Sequence, residues 1–218
     1  GGWGAFSSSP RRAPSTVIKL ISGVHLPDAG ELRFKSERVE MNHPRVARGL
    51  GIETIYQDLS LADNLDIGAN VFLGREPERR VVGFLPILDR RHMREQAQAV
   101  LETLGIEIGA SEFSRPVRNL SGGQRQAIAI GRAIFWKAEL LILDEPTASL
   151  GVPEQRKVRE LITRLKRQNV AVLFISHNLA EIFEISDRVL VLHQGKKAGE
   201  RRIPETDNDE IVKLMVGA

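Results

Sequence analysis

The sequence predicts an α/β fold: a mostly parallel sheet flanked by helices, interrupted by an inserted helical subdomain. Three observations carry this expectation. "ELLILDEP" at 139–146 and "VAVLFISH" at 170–177 each hold a short strand-like run that is apolar throughout. Strands of that kind must be covered on both faces, as in parallel sheets. An amphipathic helical pattern lies between the two, the alternation that builds such sheets. From about 58 to 135 no comparable strand occurs and helical periodicity dominates. The expected division is therefore a core of 15–57 and 136–218 with a helical subdomain over 58–135.

Taken in order, residues 1–14, "GGWGAFSSSPRRAP", are rich in Gly, Ser, Pro and Arg without periodicity, and are expected to be disordered. From Ser15 the texture changes. "STVIKLISGV" predicts a short helix with Ser15 or Thr16 as N-cap and Gly23 as its stop. "PDAG" is a turn, "ELRFKSERV" alternates like a strand, and "GIETIYQ" is another short strand. From His92 to Leu104, residues Met93, Ala97, Val100, Leu101 and Leu104 share one helical face. "LSGGQRQAIAIGRAIFWK" is a glycine-rich turn running into a helix. Val158, Leu161, Ile162 and Leu165 mark another amphipathic helix. "DRVLVLHQGKKAGERR" reads as a hairpin around Gln194-Gly195, and a helix over 209–216 closes the pattern.

Composition narrows the classes of function. A hydrophobic fraction of 42% with 27% charged residues fits an ordinary globular chain. No cysteine is present, so disulfides and thiolate metal sites are excluded. There is neither an apolar run of about 18 residues nor a signal-peptide pattern, so no membrane span is expected. The 31 basic residues are dispersed among 28 acidic ones, and the net charge is +3. Pairs such as Arg90-Arg91, Lys196-Lys197 and Arg201-Arg202 therefore read as solvated surface, and no nucleic-acid partner is expected.

Ligands of open α/β sheets bind beyond the carboxyl ends of the strands. Asp144 and Glu145 directly follow an apolar strand. Two acids at such a tip suit a divalent cation and an attacking water, with Asp144 holding Mg²⁺ and Glu145 orienting or deprotonating the water. His177 lies just past the other apolar strand, within reach of a phosphate or that water. His25, His43, His92 and His193 show no metal spacing and read as structural. In "LSGGQ", Ser121 is the expected N-cap, and Gly122 and Gly123 would let backbone N–H groups approach an anion at a helix N-terminus. Two glycines in a first turn weaken a helix; close approach to a phosphate would explain their presence.

Together these segments resemble the ATP-binding cassette (ABC) ATPases, a P-loop NTPase-type fold. "LSGGQRQ" at 120–126 matches the family signature, and "LLILDEPTASLG" at 140–151 matches Walker B with the D-loop. "ISH" at 175–177 matches the switch histidine, and Tyr56-Gln57 the Q-loop. The closest likeness is to ATP-binding subunits of bacterial sugar importers of the ribose/fructose type. The resemblance implies a dimer with a second ABC subunit, bound to the inner face of the membrane beside permease subunits and served indirectly by a periplasmic sugar-binding protein. It implies ATP and Mg as cofactors. Glu145, His177 and Gln57 would be catalytic. Ser15, Thr16, Gln57, Asp144 and His177 would bind nucleotide, with Ser15, Gln57 and Asp144 toward the metal. Ser121, Gly122, Gly123 and Gln124 would meet a γ-phosphate held by the partner, and Ser149 and Leu150 of the D-loop would communicate across the dimer.

One segment departs from the pattern. The family carries a glycine-rich loop ending Gly-Lys-Ser/Thr immediately before the first helix. Here the lysine position is Pro14, and Ala13 and Arg11 stand for glycines. The strands that precede the loop are expected to be missing, along with the aromatic residue that stacks on adenine. Two explanations follow: an out-of-frame or truncated start over residues 1–14, or a naturally degenerate subunit that offers only its signature to an intact partner. In either case impaired ATP binding is expected.

Overall fold

The computed structural model describes residues 4–9, 13–81 and 85–217, and the side chains of 15–78 and 87–217. The elements run in order β1 Gly4–Ser9, α1 Ala13–Ile21, β2 Leu32–Phe34, β3 Glu37–Val39, α2 Pro44–Gly49 and β4 Ile52–Ile55. Next come α3 Ile67–Phe72, β5 Glu78–Val81, β6 Leu85–Leu88, α4 Arg90–Thr103, α5 Ala110–Phe113 and α6 Gly122–Phe135. The last are β7 Leu140–Asp144, α7 Val152–Arg167, β8 Ala171–Ile175, α8 Leu179–Ile185, β9 Arg188–His193, β10 Lys196–Arg202 and α9 Asn208–Val216.

These elements fall into two units. The first comprises Gly1–Gln57, Ala138–Pro146 and Leu165–Ala218; the second comprises Asp58–Lys137 and Thr147–Arg164. The second thus takes in most of α7 as well as the 58–135 region that the sequence marks as helical.

The first unit is built on a six-stranded sheet in the order β10-β9-β1-β8-β7-β4. Only the β9–β10 pair is antiparallel; β1, β4, β7, β8 and β9 run in one direction. The apolar runs predicted as strands are β7 and β8, with Leu141, Ile142, Leu143 and Phe174 each 1% exposed or less. Ile18 of α1 and Ala47 of α2 pack with Ile52, Ile142 and Ile175 to cover one stretch of the sheet. Fully burying a side chain such as Ile18 contributes about 1.5–3 kcal/mol.

The expectation of disorder over residues 1–14 meets a different outcome at 4–9, which form β1. Its backbone pairs with β8 from Gly4↔Leu173 to Phe6↔Ile175 and with β9 from Gly4↔Arg188 to Ser9↔His193. A strand therefore does precede α1. Residues 1–3 and 10–12 lie outside the described residues. The helix α1 starts at Ala13, so Ser15 and Thr16 sit inside its first turn rather than at its cap; Gly23, at φ +72°, ends it as expected.

"ELRFKSERV" is not one strand but a hairpin, with Lys35 (φ 52°) and Ser36 (φ 68°) between β2 and β3. Two consecutive left-handed residues make a turn whose twist matches the flanking strands. The Gln194-Gly195 hairpin follows the same rule, at φ 49° and 79°. Two histidines read as structural have structural work: His43 Nδ1 accepts the Arg45 N–H at the start of α2 (3.1 Å), and His193 Nδ1 donates to the Met215 carbonyl (2.8 Å).

The second unit has its own core. Ile67, Val71 and Phe72 of α3 meet Met93, Ala97 and Leu101 of α4, with Phe113, Val117, Leu120 and Ile128. The predicted face of α4 is the buried one. Trp136 stands edge-on to Phe72 and Phe135, donates its ring N–H to the Val71 carbonyl (3.0 Å) and lies under the Arg75 guanidinium (4.5 Å to the ring centroid). This unit also contains the antiparallel β5–β6 pair, which the helical periodicity of 58–135 does not announce.

Candidate functional site

The topology fixes where a ligand would lie. The chain leaves β1 for β4, β7 and β8 on one side, then crosses from β8 to β9 on the other. Such a reversal opens a crevice at the carboxyl ends of the strands. The pairing register brings three tips together there: Ile55 of β4 opposes Leu143 of β7, which opposes Phe174 of β8, and Asp144 opposes Ile175. Asp144 and Glu145 follow Leu143 directly, and Gln57 and His177 stand two residues past Ile55 and Ile175. The sheet therefore sets side by side four residues that the sequence separates by up to 120 positions.

Asp144 closes β7 and is half-buried. Burial, and secondarily the neighbouring Glu145 carboxylate, raises its pKa above the ordinary aspartate range. Glu145 adopts a left-handed backbone (φ 48°), a conformation worth roughly 1–2 kcal/mol of strain in a residue with a side chain. Its amide donates to the Ile175 carbonyl of β8 (3.0 Å), and its Oε1 lies 3.3 Å from Nδ1 of His177. The His177 side chain is 68% exposed and that of Glu145 30%. The pair thus faces solvent from a backbone fixed on both sides. Gln57 is exposed, two residues beyond β4. The residue before it is anchored: the Tyr56 hydroxyl and Ser22 Oγ share a hydrogen bond of 3.0 Å, joining the end of β4 to the end of α1.

A desolvated carboxylate beside a second one is a site that a cation would relieve. Among the described residues no three His, Asp or Glu side chains gather as a metal cage. Mg²⁺ does not need one, because it keeps waters and binds substrate phosphates alongside one or two carboxylates. Asp144 fits that role. Ser15 and Thr16 lie in the first turn of α1, which follows β1 in the chain. Between β1 and α1 the sequence departs from the phosphate-binding pattern. A phosphate cradle is made of glycine backbone N–H groups and a lysine. Residues 10–14 read Pro-Arg-Arg-Ala-Pro, with two positions that have no N–H at all.

The signature segment lies in the second unit. Ser121 caps α6: its Oγ accepts the Gln124 N–H (3.2 Å), and Gln124 Oε1 accepts the Ser121 N–H (2.9 Å). The glycines have a packing reason that the sequence does not disclose. A Cβ on Gly122 would stand 2.7 Å from Leu150 Cδ2, and one on Gly123 3.1 Å from the Glu154 side chain. The D-loop therefore lies directly on the signature turn. Gln155 holds that loop by donating to the carbonyls of Thr147 (3.3 Å) and Leu150 (3.0 Å).

Sequence reasoning also misses how the segment following Gln57 is held. Asn70, fully buried, accepts the Ala62 N–H (2.7 Å) and donates to the carbonyls of Ala62, Leu65 and Asp66 (3.1, 3.3 and 3.0 Å). From α6, Arg125 pairs with Asp63 (2.8 Å) and Arg132 donates to the Ser60 carbonyl (3.1 Å). An isolated asparagine inside a helical pattern gives no signal of such a role.

A family profile described as "ABC transporter" matches residues 14–148. The chain belongs to the ABC transporter family. By family it is an ATPase. The cassette is 44% identical to the xylose/arabinose import ATP-binding protein of Sulfolobus acidocaldarius, over 92% of this chain and 77% of that protein. It is 39% identical to the fructose import ATP-binding protein of Rhizobium meliloti, over 94% and 79%. It is 40% identical to the ribose import ATP-binding protein of Chromobacterium violaceum, where 93% of this chain spans only 39% of the relative. In fold, it superimposes on a crystal structure of a nucleotide-free ATP-binding cassette from an ABC transporter with a TM-score of 0.79 at 21% identity, covering 100% of this chain and 85% of the other. Among the described residues no helix of the cassette is long and apolar enough to cross a membrane.

Proposed function

We propose that this chain is the ATP-binding subunit of a carbohydrate importer, coupling ATP hydrolysis to sugar uptake through a membrane permease, with its hold on nucleotide weakened at the loop between β1 and α1. The observation that carries the reading is the register-matched row of tips bearing Gln57, Asp144, Glu145 and His177, in a chain whose relatives are named as sugar-import ATP-binding proteins. Asp144, with Ser15 and Gln57, would hold Mg²⁺, which supplies charge neutralisation at the transferred phosphate. Glu145 orients the attacking water, and His177 stands beside it to contact the phosphate. Ser121, Gly122, Gly123 and Gln124 offer their helix N-terminus to the nucleotide of a second cassette. The helical unit docks on the permease, at the inner face of the membrane, with a periplasmic sugar-binding protein upstream and no nucleic acid involved.

The weakened hold follows from the loop's chemistry. Each charge-assisted hydrogen bond contributes roughly 1.5–3 kcal/mol, and about 1.4 kcal/mol is tenfold in affinity. Replacing Arg11→Gly, Ala13→Gly and Pro14→Lys together is expected to tighten ATP binding by at least about 100-fold, read by calorimetric titration with Mg-ATP. Micromolar binding by the unaltered chain would overturn the impairment. The fully formed cap at Ser121, in a chain whose residues 10–14 lack the glycines and lysine of a phosphate cradle, favours one second reading, a cassette that lends its signature to an intact partner without hydrolysing ATP itself. The same titration, repeated with such a partner present, separates the two.

A further inference from the structure

Resting on the reading of His177 as the residue that faces the reacting phosphate, we propose that Ser176 and Glu181 are positioning residues that hold His177 over Glu145. Ser176 Oγ donates to Glu181 Oε2 (3.0 Å) and accepts the Asn178 N–H (3.0 Å). The two bonds straddle His177, so the backbone on either side of the imidazole is tied to one hydroxyl. Asn178 in turn accepts the Ala180 N–H at the start of α8 (3.1 Å).

Other helices of this chain show what a plain cap looks like. At α5 and α6 the third helical residue, Glu112 or Gln124, accepts the N–H of the cap residue directly (3.1 and 2.9 Å). Glu181 holds the same third position in α8, yet its carboxylate takes the Ser176 hydroxyl, which takes the cap N–H. The inserted hydroxyl extends the connection back past the histidine. It is also internal: Ser176 is 4% and Glu181 3% exposed, whereas Gln124 is only half-buried. Burying a carboxylate is costly unless it is hydrogen-bonded, and a helix cap alone does not call for it. The second anchor is the Glu145 N–H bond to the Ile175 carbonyl (3.0 Å). Glu145 and His177 are thereby hung from adjacent points of the β8 tip, and their 3.3 Å approach is set by backbone rather than by the exposed side chains.

The test is nitrogen NMR of the His177 ring in the nucleotide-free chain, at about pH 8, where an ordinary histidine is neutral. A carboxylate only accepts, so the unaltered chain is expected to show His177 mainly as the Nδ1–H tautomer. Glu145→Ala is expected to shift the majority to Nε2–H. Ser176→Ala and Glu181→Ala should produce the same shift, while Glu181→Gln, whose amide oxygen still accepts from the hydroxyl, should keep the parental signature. If Ser176→Ala and Glu181→Ala lower the melting temperature but leave the tautomer as it was, the residues are structural and the proposal is wrong, with the functional reading intact. If Glu145→Ala also leaves it unchanged, the pairing itself is absent and both fall. Should Glu181→Ala not fold, Ser176→Ala and Glu181→Gln decide.

Discussion

Asp144 and Glu145 each hold an unfavourable condition, one electrostatic and one conformational. Asp144 is partly desolvated beside another acid, and Glu145 is left-handed. Such strain gathers where a site is prepared for something that will relieve it. Because the folded-state pKa of Asp144 is raised, the folded chain binds its proton more tightly than the unfolded chain, so stability is lost as pH rises from the ordinary aspartate range through the folded pKa. Asp144→Asn is therefore expected to raise the melting temperature at pH 7, with the gain vanishing as pH falls below that range. A lower melting temperature at pH 7 would mean that the carboxylate has a favourable partner. In the ligand-free chain, the same substitution improves stability while removing the residue best suited to the metal.

Elements show more clearly what local sequence can and cannot announce. The strands β7 and β8 and the helices α4, α6 and α7 were legible because burial imposes a pattern: all apolar in the strands, one apolar face in the helices. The turn between β2 and β3 was not, since Lys35 and Ser36 take left-handed backbones without the glycine or asparagine that usually marks one. The role of Asn70 was hidden for a different reason: its bonds reach back four to eight residues to a segment without repetitive structure. Each such bond contributes about 0.5–1.5 kcal/mol, with more lost when a buried group is orphaned, so Asn70→Ala should lower stability by about 2–4 kcal/mol, measured by urea denaturation. An unchanged midpoint would contradict that network. At the other end, the Thr206 hydroxyl and then Arg201 hold Glu210 below the usual carboxylate range, and Lys197, with Arg188 behind it, does so for Glu200. Depressed values contribute stability above the unfolded pKa and lose it below. Amide exchange in α9 should accordingly quicken as pH falls below the ordinary glutamate range, after correction for the intrinsic rate, and Glu210→Gln should flatten the dependence.

For the whole molecule, the tips of β4, β7 and β8 were legible as candidate chemistry, while their convergence was a matter of topology. The strand β1 was illegible altogether. "GAFSSS" has neither an apolar run nor an alternation, and its partners β8 and β9 lie more than 160 residues further along the chain. Its backbone pairs on both sides, with β8 and with β9.

That placement makes Gly4–Ser9 a keystone of the sheet. Among the described residues, strand β1 alone bridges the β9–β10 pair and the β8–β7–β4 row in the sheet. Cutting the chain back to Ala13 would open a slot down the middle, leaving the facing N–H and C=O groups of β8 and β9 as two raw seams ready to recruit neighbouring molecules. Such a shortened protein should pellet on expression, whereas losing an equal length from the α9 end should leave a soluble, if weaker, molecule; sedimentation of the two truncations side by side would tell.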